Sequence, residues 1–469
     1  ALKELENEGI AYYDPEYEVY RTMPSNYFVT TAEVTRKNFY IVNFNGITYT
    51  LPYENTSGIL PFDKVLLKKE KKNISLVKII KRANPEIVCE VLEDGNIKMV
   101  GNTNIKIKCT DKDFLKLRLP VGTRFLGKIS AEKYNNYYDI NFVEVLGHKN
   151  DVNAELEAIN YNNGFKVRYS KEEIDQVYSL PTEVTEEDKK GRVDLTDENI
   201  VTIDGAHTKD MDDAVGITKK PNGNYLLKVS ISHVSRYIKY NSPLFMRACH
   251  NTTSVYLIDS VNHMLHPQIS NGICSLNPNV ERLTKTYQIE INPKGEIVDF
   301  TFFDSVIKSK KKMTYEDCNE IFENNVVPDG YEPFVNDLLL MQELAQIIEN
   351  RRKENGALDF GNSEIEFILD DDGTILDVTH RHQGPAEKLI ENFMVVTNEA
   401  LAEYMYNLGI EFVYRNHEIP YDDKVKEVVK LITSMGYRVD AIENSDDPHV
   451  MQAVINSLNS KEEFFLPYF

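Results

Sequence analysis

From Tyr27 to about Arg82, apolar and polar residues alternate in short runs: YFVTTAEV, FYIVNF, ITYTLP, KVLLKK and ISLVKII. A period of two, repeated at regular spacing with polar turns between, predicts about five brief strands curling into a small barrel. A second set of similar size follows over 84–148: EIVCEVLE, IKMVG, IKIKC, TRFLGKIS and YDINFVEVLG. Near Leu146-Gly147 the period changes. DVNAELEAINYNNGF and KEEIDQVYSLP read as helices, the second stopped by Pro181. From about 200 onward strands and helices mix. NYLLKVSISHVS is an apolar strand, and TYQIEINPKGEIVDFTFFDSVIKSK is a hairpin turning at Asn292-Pro293-Lys294-Gly295. SEIEFILDDDGTILDVT is a second hairpin, turning at Asp372-Gly373. Two long helices are predicted at FVNDLLLMQELAQIIENRRKEN and AEKLIENFMVVTNEALAEYMYNLG.

The pattern therefore predicts two tandem OB-like barrels, over 21–83 and 84–149, ahead of a large α+β domain over 150–469. Residues 1–20 read as a short amphipathic helix, ALKELENEGIAYY, with a connecting segment. Barrels of this kind commonly hold single strands on an aromatic face. Phe39, Tyr40, Tyr134, Tyr137 and Tyr138 could stack bases there, or fill the barrel cores and turns.

Composition narrows the classes. A length of 469 residues implies about three domains, and 42% apolar residues is ample for real cores. No run approaches the ~18 uncharged apolar residues of a membrane span, and the N-terminal stretch is not a signal peptide. The five cysteines, Cys89, Cys109, Cys249, Cys274 and Cys318, are scattered and never spaced CxxC, which favours a reducing cytosol over a disulfide framework or thiolate zinc site. A net charge of −21 disfavours a polyanionic partner at first sight. Local patches matter more, however. The basic run from Lys64 to Lys72, followed by Lys78, Lys81 and Arg82, reads either as such a patch or as a solvated strand edge. The first residue is alanine and the last ten are SKEEFFLPYF, an apolar-aromatic run suited to burial, so a fragment of a longer chain is expected.

The densest chemistry lies in TIDGAHTKDMDD, where Asp204, Asp210, Asp212 and Asp213 fall within ten positions. A glycine after VTID breaks one strand and KDMDDAVGI re-enters another, so the carboxylates converge from a strand end and a short loop. Aspartates without thiolates select a hard cation, Mg²⁺ or Mn²⁺, that could also grip a substrate phosphate. Spacing alone fits an exposed acidic loop as well. The DDDG at 370–373 lacks the ligand spacing of a calcium loop and reads as a hairpin turn.

TIDGAHTKDMDDAV closely resembles the metal-binding signature of the ribonuclease II / ribonuclease R (RNB-type) family of 3′→5′ exoribonucleases. The likeness continues in order through HVSRYIKYNSPLFMRACHNTTSVYLIDSVNHMLHPQISNGICSLNPNVERLT, RRKENGALDF, EKLIENFMVVTNEALAEYM and FVYRNHEIP. It covers about 150–469. The resemblance places two cold-shock (OB-type) domains at the two barrels, and the end of a ribonuclease R helix-turn-helix at residues 1–20. It implies processive hydrolysis of single-stranded RNA to 5′-mononucleotides by a cytoplasmic, monomeric enzyme. By resemblance, Asp204, Asp210, Asp212 and Asp213 are catalytic and hold magnesium, with manganese as the alternative, and Asp212 matters most. Tyr315 in KKKMTY positions the 3′-terminal nucleotide. Tyr256 in TSVYL contacts RNA further from the cut, Phe360 in GALDF stacks on terminal bases, and Glu391 in LIENF sits at the end of the RNA channel. Unaided, the pattern puts Glu391 at the margin of an apolar helical stripe of Leu389, Ile390, Phe393 and Met394.

Gly205, Ala206 and His207 depart from the family's proline-acid-acid run, and Ile258 replaces a usual proline. The family's later arginine-rich block and S1 domain have no counterpart before Phe469. An arginine there would stabilise transition-state charge. The alternative reading is thus a catalytically incomplete RNA-binding fragment or homologue.

Overall fold

The computed structural model describes residues 2–14, 17–35, 39–51, 56, 58–71, 73–101, 105–258, 260–358, 363–370, 375–416, 421–434, 436 and 447–459. Contacts divide the chain into two compact units, 1–170 with 247–253, and 171–246 with 254–469. No helix among the described residues is long and apolar enough to cross a membrane.

The first unit begins with a helix, Leu2–Asn7, shorter than the sequence pattern implies. Gly9 takes a left-handed conformation (φ 75°) that stops it, and the following residues pair as antiparallel strands, Ala11–Asp14 and Val19–Thr22. Both predicted strand sets are present. The first resolves into two three-stranded sheets, Tyr27–Thr31 with Lys64–Glu70 and Asn73–Lys81, and Glu33–Val34 with Tyr40–Phe44 and Ile47–Thr50. The second is one five-stranded sheet in the order Ile97–Met99, Glu86–Val91, Thr123–Tyr134, Tyr137–His148, Ile107–Lys108. Of the lysine-rich stretch, Lys64–Glu70 is not a sheet edge, whereas Lys78 and Lys81 lie on the outer strand of that sheet, Asn73–Lys81. Lys64–Glu70 is the central strand of its sheet, with Val65, Leu66 and Leu67 fully buried. Lys69 Nζ lies 2.7 Å from the Tyr49 hydroxyl, and Lys68 pairs with Glu70.

One apolar core runs through both strand sets, joining Phe28, Val65, Leu67 and Ile79 to Ile87, Cys89, Phe125 and Ile140. A buried ion pair sits within it. Arg82 Nη1 meets Asp63 Oδ2 at 2.6 Å, and the guanidinium also donates to the Gly58 and Ser130 carbonyls. Its face lies 4.7 Å from the centre of the Tyr138 ring. Gly58 (φ 100°) is required here, because a Cβ would stand 2.1 Å from the Tyr138 hydroxyl oxygen. The candidate stacking aromatics divide accordingly. Tyr138 is core, Tyr40 is tied by its hydroxyl to the Ile59 carbonyl, Tyr137 is half-buried, and Phe39 and Tyr134 are exposed.

Helix Val152–Asn162, capped by Asp151, belongs to this unit rather than to the domain expected from residue 150. It buries Ala158 and Tyr161 against Val88 and Leu126. Residues 247–253 join it through Arg247, which donates to the carbonyls of Lys166, Val167 and Arg168 and lies 3.6 Å over the Tyr169 ring.

The second unit is α+β. Its five-stranded sheet runs Val193–Leu195, Ile297–Lys308, Glu281–Ile291, Tyr225–Ser232, Asp213–Lys219, antiparallel except for the first pair. The long hairpin turns where predicted, with the Asn292 side chain accepting from Lys294 N and Glu296 N. Helices Tyr315–Asn324, Val335–Glu354 and Pro385–Asn407 share a core with the sheet, including Val215, Leu227, Ile289, Met313, Leu344 and Phe393. In the second hairpin Ser363–Leu369 pairs with Ile375–His382, and Leu369 faces Ile375. Asp372 and Gly373 of its turn lie outside the described residues, as do Phe360 and the terminal SKEEFFLPYF.

Candidate active site

Strand Thr202–Asp204 lies parallel to Lys312–Thr314, which sets Asp204 opposite Thr314 and Tyr315 one residue beyond. Gly205 ends the strand, Thr208 N closes a turn on the Gly205 carbonyl, and the chain returns to a strand at Asp213. Met211 anchors the return, fully buried among Leu195, Ile200, Ala214, Leu276 and Ile307. Asp210 and Asp212 flank it outside that core. Their lesser burial agrees.

The ICSLNP segment clamps this return. The buried Ser275 hydroxyl accepts from Met211 N at 3.2 Å and donates to the Lys209 carbonyl at 2.8 Å. Leu276 N donates to the Met211 carbonyl, and Ser232 N to the Asp212 carbonyl. Arg282 in turn holds the clamp, donating to the carbonyls of Ser275, Gly272 and Glu281.

The four aspartates form one electrostatic group. Burial raises the Asp204 carboxyl to about 7, with the Asp213, Asp210 and Asp212 charges adding and Lys312 opposing. Asp213 is raised to about 6 by burial and then by Asp212. Asp212 is open to solvent at its surface but flanked by protein; partial loss of hydration, then the Asp210 charge, raises it too. The opposing positive charge is thus Lys312, whose Nζ donates to the carbonyls of Ala206 (3.0 Å) and Thr208 (2.6 Å).

Asp204 Oδ2 is buried without a hydrogen-bond partner, an unusual position for a carboxylate oxygen and one suited to a hard cation. The donor chemistry, oxygens without thiolate, fits Mg²⁺ or Mn²⁺. Among the described residues, however, no three or more His, Cys, Asp or Glu side chains are close enough to form a ready cation cage.

Tyr315 opens helix Tyr315–Asn324 and packs against the unit's core. Its junction is braced. Thr314 caps the helix by accepting from Asp317 N, while the Tyr331 hydroxyl accepts from Thr314 N and donates to Asp317 Oδ2. Tyr256 is 68% exposed, yet its hydroxyl points at Asp210 Oδ2 (3.4 Å), so it stands at the aspartate group itself. His263 Nδ1 lies 3.9 Å from the same oxygen and 3.5 Å from Ser270 Oγ. Glu391 is exposed on helix Pro385–Asn407 and faces Arg352 at 3.5 Å. Among the described residues no hydrogen bond or ion pair joins Glu391 to the aspartates. Sequence reasoning missed Lys312, Ser275, Arg282 and His263. All four lie in stretches matched to the family, but only folding brings them to the acidic loop.

Residues 192–466 match the RNB domain family. The chain is 35% identical over 453 residues to ribonuclease R of Thermotoga maritima, covering 93% of this chain and 63% of that protein. It is 33% identical to ribonuclease R 1 of Lactococcus lactis, covering 84% and 46% respectively. The chain therefore spans less than two thirds of these relatives' length. The structure superposes on Mycoplasma genitalium RNase R in complex with ribose-methylated single-stranded RNA with a TM-score of 0.79, at 26% identity, covering 92% of this chain and 70% of that one. By this family match and these relatives, the chain belongs to the RNB domain family and is ribonuclease R-like.

Proposed function

We propose that the chain carries the catalytic core of a magnesium-dependent 3′→5′ exoribonuclease that degrades single-stranded RNA processively to 5′-mononucleotides. The observation that carries the proposal is Asp204, whose partnerless buried oxygen stands among three further aspartates at the strand end beside Tyr315. A divalent ion held by Asp204, Asp210, Asp212 and Asp213 would neutralise non-bridging phosphate oxygens and lower the pKa of an attacking water. In the overall reaction water adds to phosphorus, the P–O3′ bond breaks, and the released 3′ oxygen takes a proton. The shortened RNA keeps a 3′-hydroxyl, and the nucleotide leaves with a 5′-phosphate.

The remaining roles follow from the resemblance and position. Tyr315, fixed at a braced helix start, orients the terminal nucleotide, and the exposed Tyr256 offers a ring and a hydroxyl beside Asp210. Phe360, assigned from sequence, stacks on terminal bases. Stacking is indifferent to base identity, which suits stepwise degradation. Glu391, held by Arg352, borders the RNA path. The scattered cysteines, never spaced CxxC, favour a reducing cytosol, where we place the protein as a monomer.

One observation favours a second reading, RNA binding without turnover: the absence of a ready cation cage among the described residues. Incubation with 5′-labelled single-stranded RNA and Mg²⁺ decides between them. The first reading expects mononucleotide release, reduced about 10²–10³-fold in Asp212→Asn, as when a charge-stabilising group is lost, with RNA binding retained. Binding without shortening by the unaltered chain would sink it.

A further inference from the structure

We propose that Lys312 is the positioning residue of the acidic site: its ammonium group closes the turn after Asp204 and so orders the segment from which a divalent cation gathers the aspartates. The inference rests on the cation-binding reading given above. Lys312 is fixed by main-chain pairing, opposite Thr202 on the parallel strand, two residues before Asp204. From there it reaches across the turn to two carbonyls, Ala206 at 3.0 Å and Thr208 at 2.6 Å. An ammonium has three donors and no acceptor, so two of its three bonds are committed to the segment linking Asp204 to Asp210. Ser275 holds the far side of the same loop at Lys209 and Met211. Lys312 and Ser275 are therefore two side-chain staples of a chain segment whose carboxylates repel one another.

The two properties of Lys312 act on a cation in opposite directions. As a charge beside Asp204 it repels a metal ion, whereas as a staple it orders the segment that carries the ligands before the ion draws them in. Ordering prevails because like charges otherwise push the segment apart, and gathering carboxylates from a disordered loop costs backbone order at several residues.

Binding of Mn²⁺, followed by loss of the free-ion electron paramagnetic resonance signal, separates these roles without RNA or turnover. Lys312→Met is expected to weaken Mn²⁺ binding by about 10-fold, the lower end of losses from residues that orient metal ligands. It should do so although the variant carries one positive charge fewer. Lys312→Arg, which keeps N–H donors for both carbonyls, is expected to recover most of the affinity. Amide exchange across 205–213 should accelerate in the Met variant. Mn²⁺ binding as tight as or tighter than that of the unaltered chain would overturn the proposal, since loss of charge alone predicts it. If the Met variant does not fold, Lys312→Gln, with one donating group, takes its place: intermediate affinity supports the staple, and unaltered affinity refutes it. An unaltered chain that binds no Mn²⁺ refutes both the cation reading and this inference. One that binds Mn²⁺ but leaves RNA intact refutes the nuclease reading alone.

Discussion

A carboxylate buried beside three others weakens the fold that holds it, and Asp204 makes the effect measurable. Its carboxyl titrates near 7 and that of Asp213 near 6, both pushed up first by burial. An unfolded aspartate titrates near ~3.9, so between these values the folded chain binds more protons than the unfolded one. Stability from these groups is then fully present below ~pH 4 and is lost as pH rises through 6 and 7. The metal-free protein should therefore melt at a higher temperature at pH 5 than at pH 8. Asp204→Asn, a neutral isostere, should raise the pH 8 melting temperature by about 2 °C or more, since each kcal/mol relieved is worth roughly 2 °C in a domain somewhat larger than ~250 residues. It should also flatten the pH profile. Added Mg²⁺ should raise the pH 8 value of the unaltered chain and lose that effect in the variant. Calorimetry across pH 5–8 checks all three, and a melting temperature that falls steadily from pH 8 to pH 5 would contradict the linkage.

At the scale of elements, the acidic loop takes its shape from the segments around it. Ser275 supplies one acceptor and one donor to the loop main chain, and Arg282 fastens Ser275 by its carbonyl. Ser275→Ala leaves a buried N–H and a buried carbonyl short of a partner, a cost of about 1–3 kcal/mol. The expected outcome is a lower melting temperature, faster amide exchange over 209–212, and turnover reduced more than RNA affinity. Equal loss of both would show that Ser275 serves general stability alone. The elements themselves were legible in the sequence. Period-two and helical patterns located both hairpins and the helices Val335–Glu354 and Pro385–Asn407. The aspartates were legible because they crowd one short stretch. Lys312 and Ser275 were not, because a lysine in a basic run and a serine in an apolar segment gain their roles only when parallel pairing and a long loop bring them to residues 206–211. The first helix was overestimated for a local reason: Gly9 stops it before the AYYD strand, which polar-apolar counting reads as more helix.

At the scale of the whole molecule, the sequence pattern marks a boundary between the two strand sets near residue 83, while the contacts put both sets in one unit. The reason lies at Arg82 and Asp63. Arg82, at the end of the first set, pairs with Asp63 and donates to Ser130 in the second, beneath the ring of Tyr138. Burial pushes the Asp63 carboxyl up and Arg82 draws it back down, so the aspartate depends on that one cation. Removing one partner of a buried pair typically costs ~3–5 kcal/mol, because the other charge is left buried alone. Arg82→Met should therefore destabilise residues 27–81 and 86–148 together, read by amide exchange as protection lost in both strand sets at the same denaturant concentration. Asp63→Leu combined with Arg82→Met should restore part of the loss, since no uncompensated charge remains. Two independently folding barrels make the opposite prediction: the single variant would open the first set and leave protection at Phe125 and Ile140 in the second unchanged.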